Sequence, residues 1–214
     1  SPAPPIVGTQ AGGTYDHVFA DLLQIDSAVE RLKEVLAQTR ERADSRIVLV
    51  NNAGLLKPVA PLERISLEQA HSHLMVNVEA VIAFMSVFLQ ATESWSVSRH
   101  VINISSGAAT EPYAGWGLYC AGKAATDMLA RVSASEQHNS SNPARVIGVA
   151  PGVVNTAMQN TIRQTSPEDF PKRYRFVQLY QYGKLSSVEH AASQVIRALD
   201  DPEVESGDVI DVRK

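Results

Sequence analysis

The chain of 214 residues reads as an α/β domain in which a parallel sheet is covered by helices on both faces, and two patterns predict it. Short apolar runs at Ile47–Val50, Val101–Ile104 and Val146–Ala150 alternate with longer stretches whose apolar residues recur at helical spacing. With 44% hydrophobic and 20% charged residues, the chain can build one sizeable core and gives little reason to invoke a second domain.

Taken in order, residues 1–14 read as a flexible leader and 15–214 as the single domain. The leader is rich in Pro and Gly, but Gly8, Gly12 and Gly13 follow no strand and open no helix, so they lack the context of a phosphate loop. Tyr15–Ala20 is a strand candidate. Asp26 is placed to cap a helix in which Val29, Leu32 and Leu36 form one apolar stripe. Ser66-Leu-Glu-Gln69 has the form of a capping box that opens a long helix through Gln90. Its apolar residues Leu74, Val78, Val81, Ile82, Met85 and Leu89 spread over more than one face, so the helix is expected to bury two sides. A second such helix is expected from Tyr119 to Gln137, a loop over 139–143, and a last helix opened by Ser186-Ser-Val-Glu189 and ending before Asp201-Pro202. Between 155 and 182 the periodicity dissolves, and aromatics at Phe170, Tyr174, Phe176, Tyr180 and Tyr182 recur without a clean spacing. These either pack a short helix on the domain or belong to a mobile cover over a site.

A net charge of −4 with scattered lysines and arginines offers no basic stripe to neutralise phosphates, which argues against a nucleic-acid partner. No apolar run of about eighteen residues and no signal-peptide pattern is read, so no membrane partner is expected. A single Cys120 excludes an internal disulfide and fits a reducing, cytoplasmic compartment, where it reads as a small packing residue. Among the six histidines His71 and His73 are two apart on a helix and point to different sides, and no metal site is expected.

The most informative stretch is Tyr119-Cys-Ala-Gly-Lys123, preceded thirteen residues upstream by Ser106. Tyr and Lys four apart share one helix face, so an ammonium can sit beside the phenol and lower its pKa from about 10, bringing it into range as a general acid or base. A chance YxxxK on an amphipathic helix is the rival explanation. The surroundings weigh against chance: a buried strand runs into Asn51-Asn-Ala-Gly54, the following helix carries Asn77, and the strand at Val146–Ala150 runs into Pro151-Gly152 and Thr156.

Strand-NNAG, helix Asn, Ser, YxxxK and PG-x3-T in this order resemble the short-chain dehydrogenase/reductase family, over a match from about Tyr15 to the C-terminus. Within it, residues 115–129 and Ser206-Gly-Asp-Val-Ile-Asp211 are most similar to sepiapterin reductases and benzil-type dicarbonyl reductases. The resemblance implies a Rossmann-like doubly wound parallel sheet, an NADP-dependent oxidoreductase acting on a small carbonyl substrate, a homodimer built on a four-helix interface, and a substrate lid at about 155–182. It implies Asn77, Ser106, Tyr119 and Lys123 as the catalytic set. Asp21, Asn51, Ala53, Gly54, Tyr119, Lys123, Pro151, Gly152, Val154 and Thr156 would bind the cofactor, and Ser106, Trp116 and Asp211 the substrate. Ser105, fourteen residues from Tyr119, is the rival to Ser106.

The first two strand–helix units of that family, with the glycine-rich turn, have no counterpart in these residues. One expectation is therefore that the Tyr15 strand moves across to pair directly with Ile47–Val50 or that other segments fill the space. A second is that this form is catalytically silent and acts through dimerisation.

Overall fold

The structure, a computed structural model, describes residues 16–213. The leader expected at 1–14 lies outside them. Four parallel strands, β1 (Arg46–Asn51), β2 (Ser98–Ile104), β3 (Ala144–Ala150) and β4 (Val209–Asp211), stand side by side in chain order. The register pairs Val50 with Ile102, Ile102 with Ile147 and Val149 with Ile210, so the carboxyl ends of the strands finish together. Residues buried on both faces explain the near-continuous apolar runs.

One face carries Val101 and Val146 against Leu36 of α1 (Ile25–Thr39), Val81, Met85 and Phe88 of α3 (Ala80–Thr92) and Ala130 of α4 (Gly117–Gln137). The other face carries Ile102, Ile147 and Val149 against Val195, Ala198 and Leu199 of α7 (Val188–Asp200). Helices on both faces make the sheet doubly wound, as the strand–helix alternation predicts.

The start of the described chain departs from expectation. Residues 16–21 form no strand, and β1 has no strand neighbour beyond β2 among the described residues. Val18 is 45% and Phe19 79% exposed. Two adjacent large apolar residues point to opposite faces of a strand, so this segment cannot bury both on a one-sided sheet edge. Nor does Asp26 cap α1: Gln24 holds the N-cap without a side-chain bond, and Asp26 sits in the first turn, where a carboxylate still favours the helix dipole.

The capping box is present: Ser66 Oγ accepts from the Gln69 N–H at 3.2 Å and Gln69 Oε1 from the Ser66 N–H at 3.0 Å. From it runs one continuous helix, α2 (Leu67–Leu74), a π-helical turn at Met75–Glu79, and α3. Over Leu67–Thr92 this helix is long and apolar enough to cross a membrane, which corrects the expectation that no such stretch exists. Here it lies along the sheet, packed on α1 and α4.

Residues 155–182 resolve into α5 (Ala157–Gln164) and α6 (Arg173–Gln181). The excursion leaves and returns at one point, because Val154 bridges Ser186 and the Asn155 N–H donates to the Ser186 carbonyl at 2.9 Å. Of its aromatics, Phe170 and Phe176 are buried while Tyr174, Tyr180 and Tyr182 are exposed. α7 then opens on Ser187, whose Oγ accepts from the His190 N–H.

Arg99 on β2 is only 2% exposed. Its guanidinium donates to Thr92 Oγ1 at 2.9 Å, to Gln137 Oε1 at 3.4 Å, and to the Leu89 and Asn142 carbonyls, all neutral oxygens. The end of α3, the end of α4 and the 139–143 loop are thus tied to one side chain. Arg99→Met should strand these acceptors and lower stability by about 2 to 4 kcal/mol. A urea unfolding curve superimposable on that of the parent chain would contradict this.

Candidate active site

The carboxyl ends of β1, β2 and β3 open into a cleft of about 520 Å³, floored by the strands and roofed by the 155–182 excursion. Ligands of open α/β sheets bind at such ends. An interstrand bond from Asn51 Nδ2 to Asn103 Oδ1, 2.9 Å, ties β1 to β2 just before the opening.

Beyond β2 the chain stays extended through Ser106, whose Oγ accepts from the Ala108 N–H at 3.2 Å and caps a single 3-10 turn, Gly107–Ala109. Its hydroxyl is also the polar neighbour of the Tyr119 phenol. Ser105 turns the other way, toward Asp127. The alternation of side chains along an extended segment makes that division. Tyr119 lies in the first turns of α4, 8% exposed, and Lys123 one turn on, 7% exposed, with its Nζ 5.9 Å from the Tyr119 ring centroid and bonded to the Ile104 carbonyl.

The electrostatics differ from the expectation of a phenol lowered by a neighbouring ammonium. Burial pushes the Tyr119 pKa up, partly offset by the Ser106 hydroxyl, with the Cys120 thiol adding to the rise. Burial also lowers Lys123, to about 8, against the favourable field of Asp127 one turn further along α4. Near neutral pH the pair is therefore a protonated phenol beside an ammonium, the state that can donate a proton.

Asn77 lies behind the cleft at the π-helical turn. Its Oδ1 accepts from the Leu55 N–H and its Nδ2 donates to the Leu55 carbonyl, both at 2.7 Å. A glycine allows that approach: a Cβ on Gly122 would lie only 3.2 Å from Asn77 Cβ, whereas one on Gly54 would make ordinary contacts, 3.4 Å from Asn77 Oδ1 and 3.9 Å from Lys123 Nζ.

Gly54, Ser106, Trp116, Tyr119, Lys123, Pro151, Gly152, Val154 and Thr156 all line the cleft, as the motifs led us to expect. Besides Asn77, which lies behind it, four other expected residues do not line it. Asn51 is the interstrand tie and its neighbour Asn52 faces the cleft instead, while Ala53 is exposed on the connecting loop. Asp21 follows no strand and accepts from the Leu23 N–H at 3.0 Å, an ordinary turn contact. Asp211 is held by Arg213, whose Nε donates to its Oδ1 at 2.8 Å, and Arg213 is the one that reaches the cleft, over Gly152.

An aromatic wall was not anticipated as a unit. Trp116 stacks on Phe170 at 4.5 Å between centroids and on Tyr113 at 4.9 Å, with Phe176 at 5.4 Å. Sequence carried a signal only in the density of aromatics, since the wall joins the loop before α4 to α6 across some sixty positions. Cys120 packs against this cluster.

The residues present fit the nicotinamide-ribose half of a dinucleotide. Lys123 offers an ammonium and Tyr119 a hydroxyl, and Pro151–Val154 give an uncharged wall beside Thr156, the N-cap of α5 whose side chain makes no capping bond.

Comparison with known proteins agrees. The family model described as short chain dehydrogenase matches residues 9–167. A benzil reductase ((S)-benzoin forming) of Bacillus cereus is 38% identical over 190 residues, 89% of this chain and 76% of that protein. A sepiapterin reductase of Rattus norvegicus is 34% identical over 207 residues, covering 95% and 77%. Among solved structures, one from Beutenbergia cavernae, assigned as an NAD(P) dependent gluconate 5-dehydrogenase and containing NADP, superposes with a TM-score of 0.74 at 27% identity, covering 94% of this chain and 76% of that one. A sheet ending in a cleft with Ser106, Tyr119 and Lys123 on its floor, together with these matches, places the chain in the short-chain dehydrogenase/reductase family.

Proposed function

We propose that this oxidoreductase reduces a small aryl ketone or dicarbonyl with NADPH. The observation that carries the reading is the convergence of a protonated phenol, a serine hydroxyl and a buried ammonium on one cleft with an aromatic wall. The nicotinamide, when bound, supplies the hydride. NADP is preferred because the Beutenbergia cavernae structure contains it.

The chain's own residues then have distinct tasks. Ser106 hydrogen-bonds the carbonyl oxygen and orients it, and Tyr119 donates its phenolic proton to that oxygen as negative charge develops. Lys123 holds ribose hydroxyls and supplies positive charge beside the phenol, stabilising the phenolate that proton donation leaves. Asn77 fixes the turn behind them. Pro151, Gly152, Val154 and Thr156 hold the nicotinamide, and the 155–182 excursion closes over the substrate and excludes water.

Tyr113, Trp116 and Phe176 present stacked and tilted faces that favour an aryl substituent. Asp211, paired with Arg213, is not directed into the cleft, which favours a benzil-type substrate over an amino-pterin. The silent-remnant reading gains nothing from a site assembled in this way. A reducing, cytoplasmic setting suits the single unpaired Cys120.

Tyr119→Phe should abolish benzil reduction while leaving NADPH affinity within about twofold, because only the proton donor is lost; Lys123→Ala should damage both. Equal loss of NADPH affinity in the two variants would contradict the division of roles.

The exposed side of α2–α3 and α4 carries Leu74, Ile82, Met128 and Val132, each more than 40% exposed. We expect this stripe to pair with its copy across a two-fold axis, making a homodimer. Sedimentation showing monomer alone at micromolar concentration would refute the pairing.

A further inference from the structure

His73 has no exposed surface and stands four residues before Asn77, on the turn that precedes the π-helical segment. Its Nδ1 lies 3.0 Å from the Lys57 carbonyl oxygen and its Nε2 2.6 Å from Asn77 Nδ2. The direction of every bond follows from the partners. The Leu55 N–H can only donate, so the atom facing it is Asn77 Oδ1, and the amide hydrogens point to the Leu55 carbonyl and to His73. The Lys57 carbonyl can only accept, so Nδ1 carries the ring proton and Nε2 offers its lone pair to Asn77. A doubly protonated ring would set N–H against NH2 at that contact.

We propose that His73 is the positioning residue of the site: its neutral Nδ1–H tautomer locks the Asn77 amide onto Leu55, tying the loop after β1 to the π-helical turn beside Lys123. The lock matters because Asn77 packs closely on α4: a Cβ on Gly122, the residue before Lys123, would lie 3.2 Å from Asn77 Cβ and 3.9 Å from its Nδ2, so a displaced amide presses on the helix that carries the ammonium. Neutrality of the ring is secured by its surroundings. Burial disfavours the imidazolium most, the main-chain carbonyls of Lys57 and Leu118 act the other way, and Lys123 on α4 adds repulsion. The lock therefore holds at neutral pH and opens as pH falls through a His73 pKa below 6.5. Its catalytic consequence rests on the carbonyl-reductase reading; the tautomer and the lock do not.

The test has two arms on the full chain. Long-range proton–nitrogen NMR of the 15N-histidine protein should show His73 neutral with the proton on Nδ1 at pH 7.5, and the Leu55 amide protected from exchange. A proton on Nε2, a charged ring at that pH, or a freely exchanging Leu55 amide would overturn the proposal. In the second arm His73→Gln can still donate to Lys57 and accept from Asn77, so it should keep most of the benzil reductase kcat and lose the acidic limb of the pH profile. His73→Leu, folded by circular dichroism, should lose about tenfold or more in kcat through misplacement of Asn77. Equal losses in Gln and Leu variants that are both folded would also overturn it. A parent chain without benzil reductase activity but with the expected tautomer and a protected Leu55 amide would reject the functional reading and uphold the lock.

Discussion

The Lys123 ammonium, held in a buried position by the last carbonyl of β2, is the constraint on which the rest of the site depends. Lowering its pKa from 10.5 to about 8 corresponds to about 3 kcal/mol of unfavourable desolvation carried by the folded chain below that pH. The sign is that of a penalty: the folded state binds the proton less well than the unfolded chain, so the cost is felt while Lys123 is charged and fades as pH rises from about 8 toward 10.5. A packing residue would avoid it. On the proposed reading the cost is tolerated because the cation stands beside the phenol on the floor of the cleft.

Around that ammonium the fold makes room by subtraction. Gly122 on α4 gives up its side chain where Asn77 approaches, and the π-helical turn widens the long helix at the same level. Gly115 shows the same economy at the roof. At φ +88° its absent Cβ would meet the Asp169 carbonyl carbon 3.1 Å away, so the segment before α6 can lay Phe170 onto Trp116 only over a glycine. The strands do the alignment: because β1, β2 and β3 end in register, a serine from one, a glycine from another and the Pro151-Gly152 turn from the third reach one cleft.

Much of this was legible in the amino-acid sequence, for a physical reason. Strand ends, helical i,i+4 pairs and capping boxes are local, so Ser106, Tyr119, Lys123, the Ser66 box and the α4 boundaries could be read from spacing. Ser106 was set above its neighbour Ser105 by its spacing to Tyr119. What failed was non-local or edge-dependent. Whether residues 16–21 form a strand depends on what they would pair with, and Asn51 or Asp211 can serve a neighbour or a ligand with equal chemistry. The electrostatic balance was misjudged because burial, which depends on the whole fold, is the largest influence on Tyr119 and raises its pKa. His73 was read only as a failed metal ligand, since nothing in its neighbourhood along the chain announces the Lys57 carbonyl.

The most direct test of this account is the titration of Lys123 itself, followed by the Nζ-attached carbon resonance of the 13C-lysine chain and assigned with Lys123→Met. A midpoint near 8 is the result the buried, carbonyl-bound ammonium requires. A midpoint at the ordinary lysine value of about 10.4 would mean a solvated side chain. The cleft as described here would then be wrong.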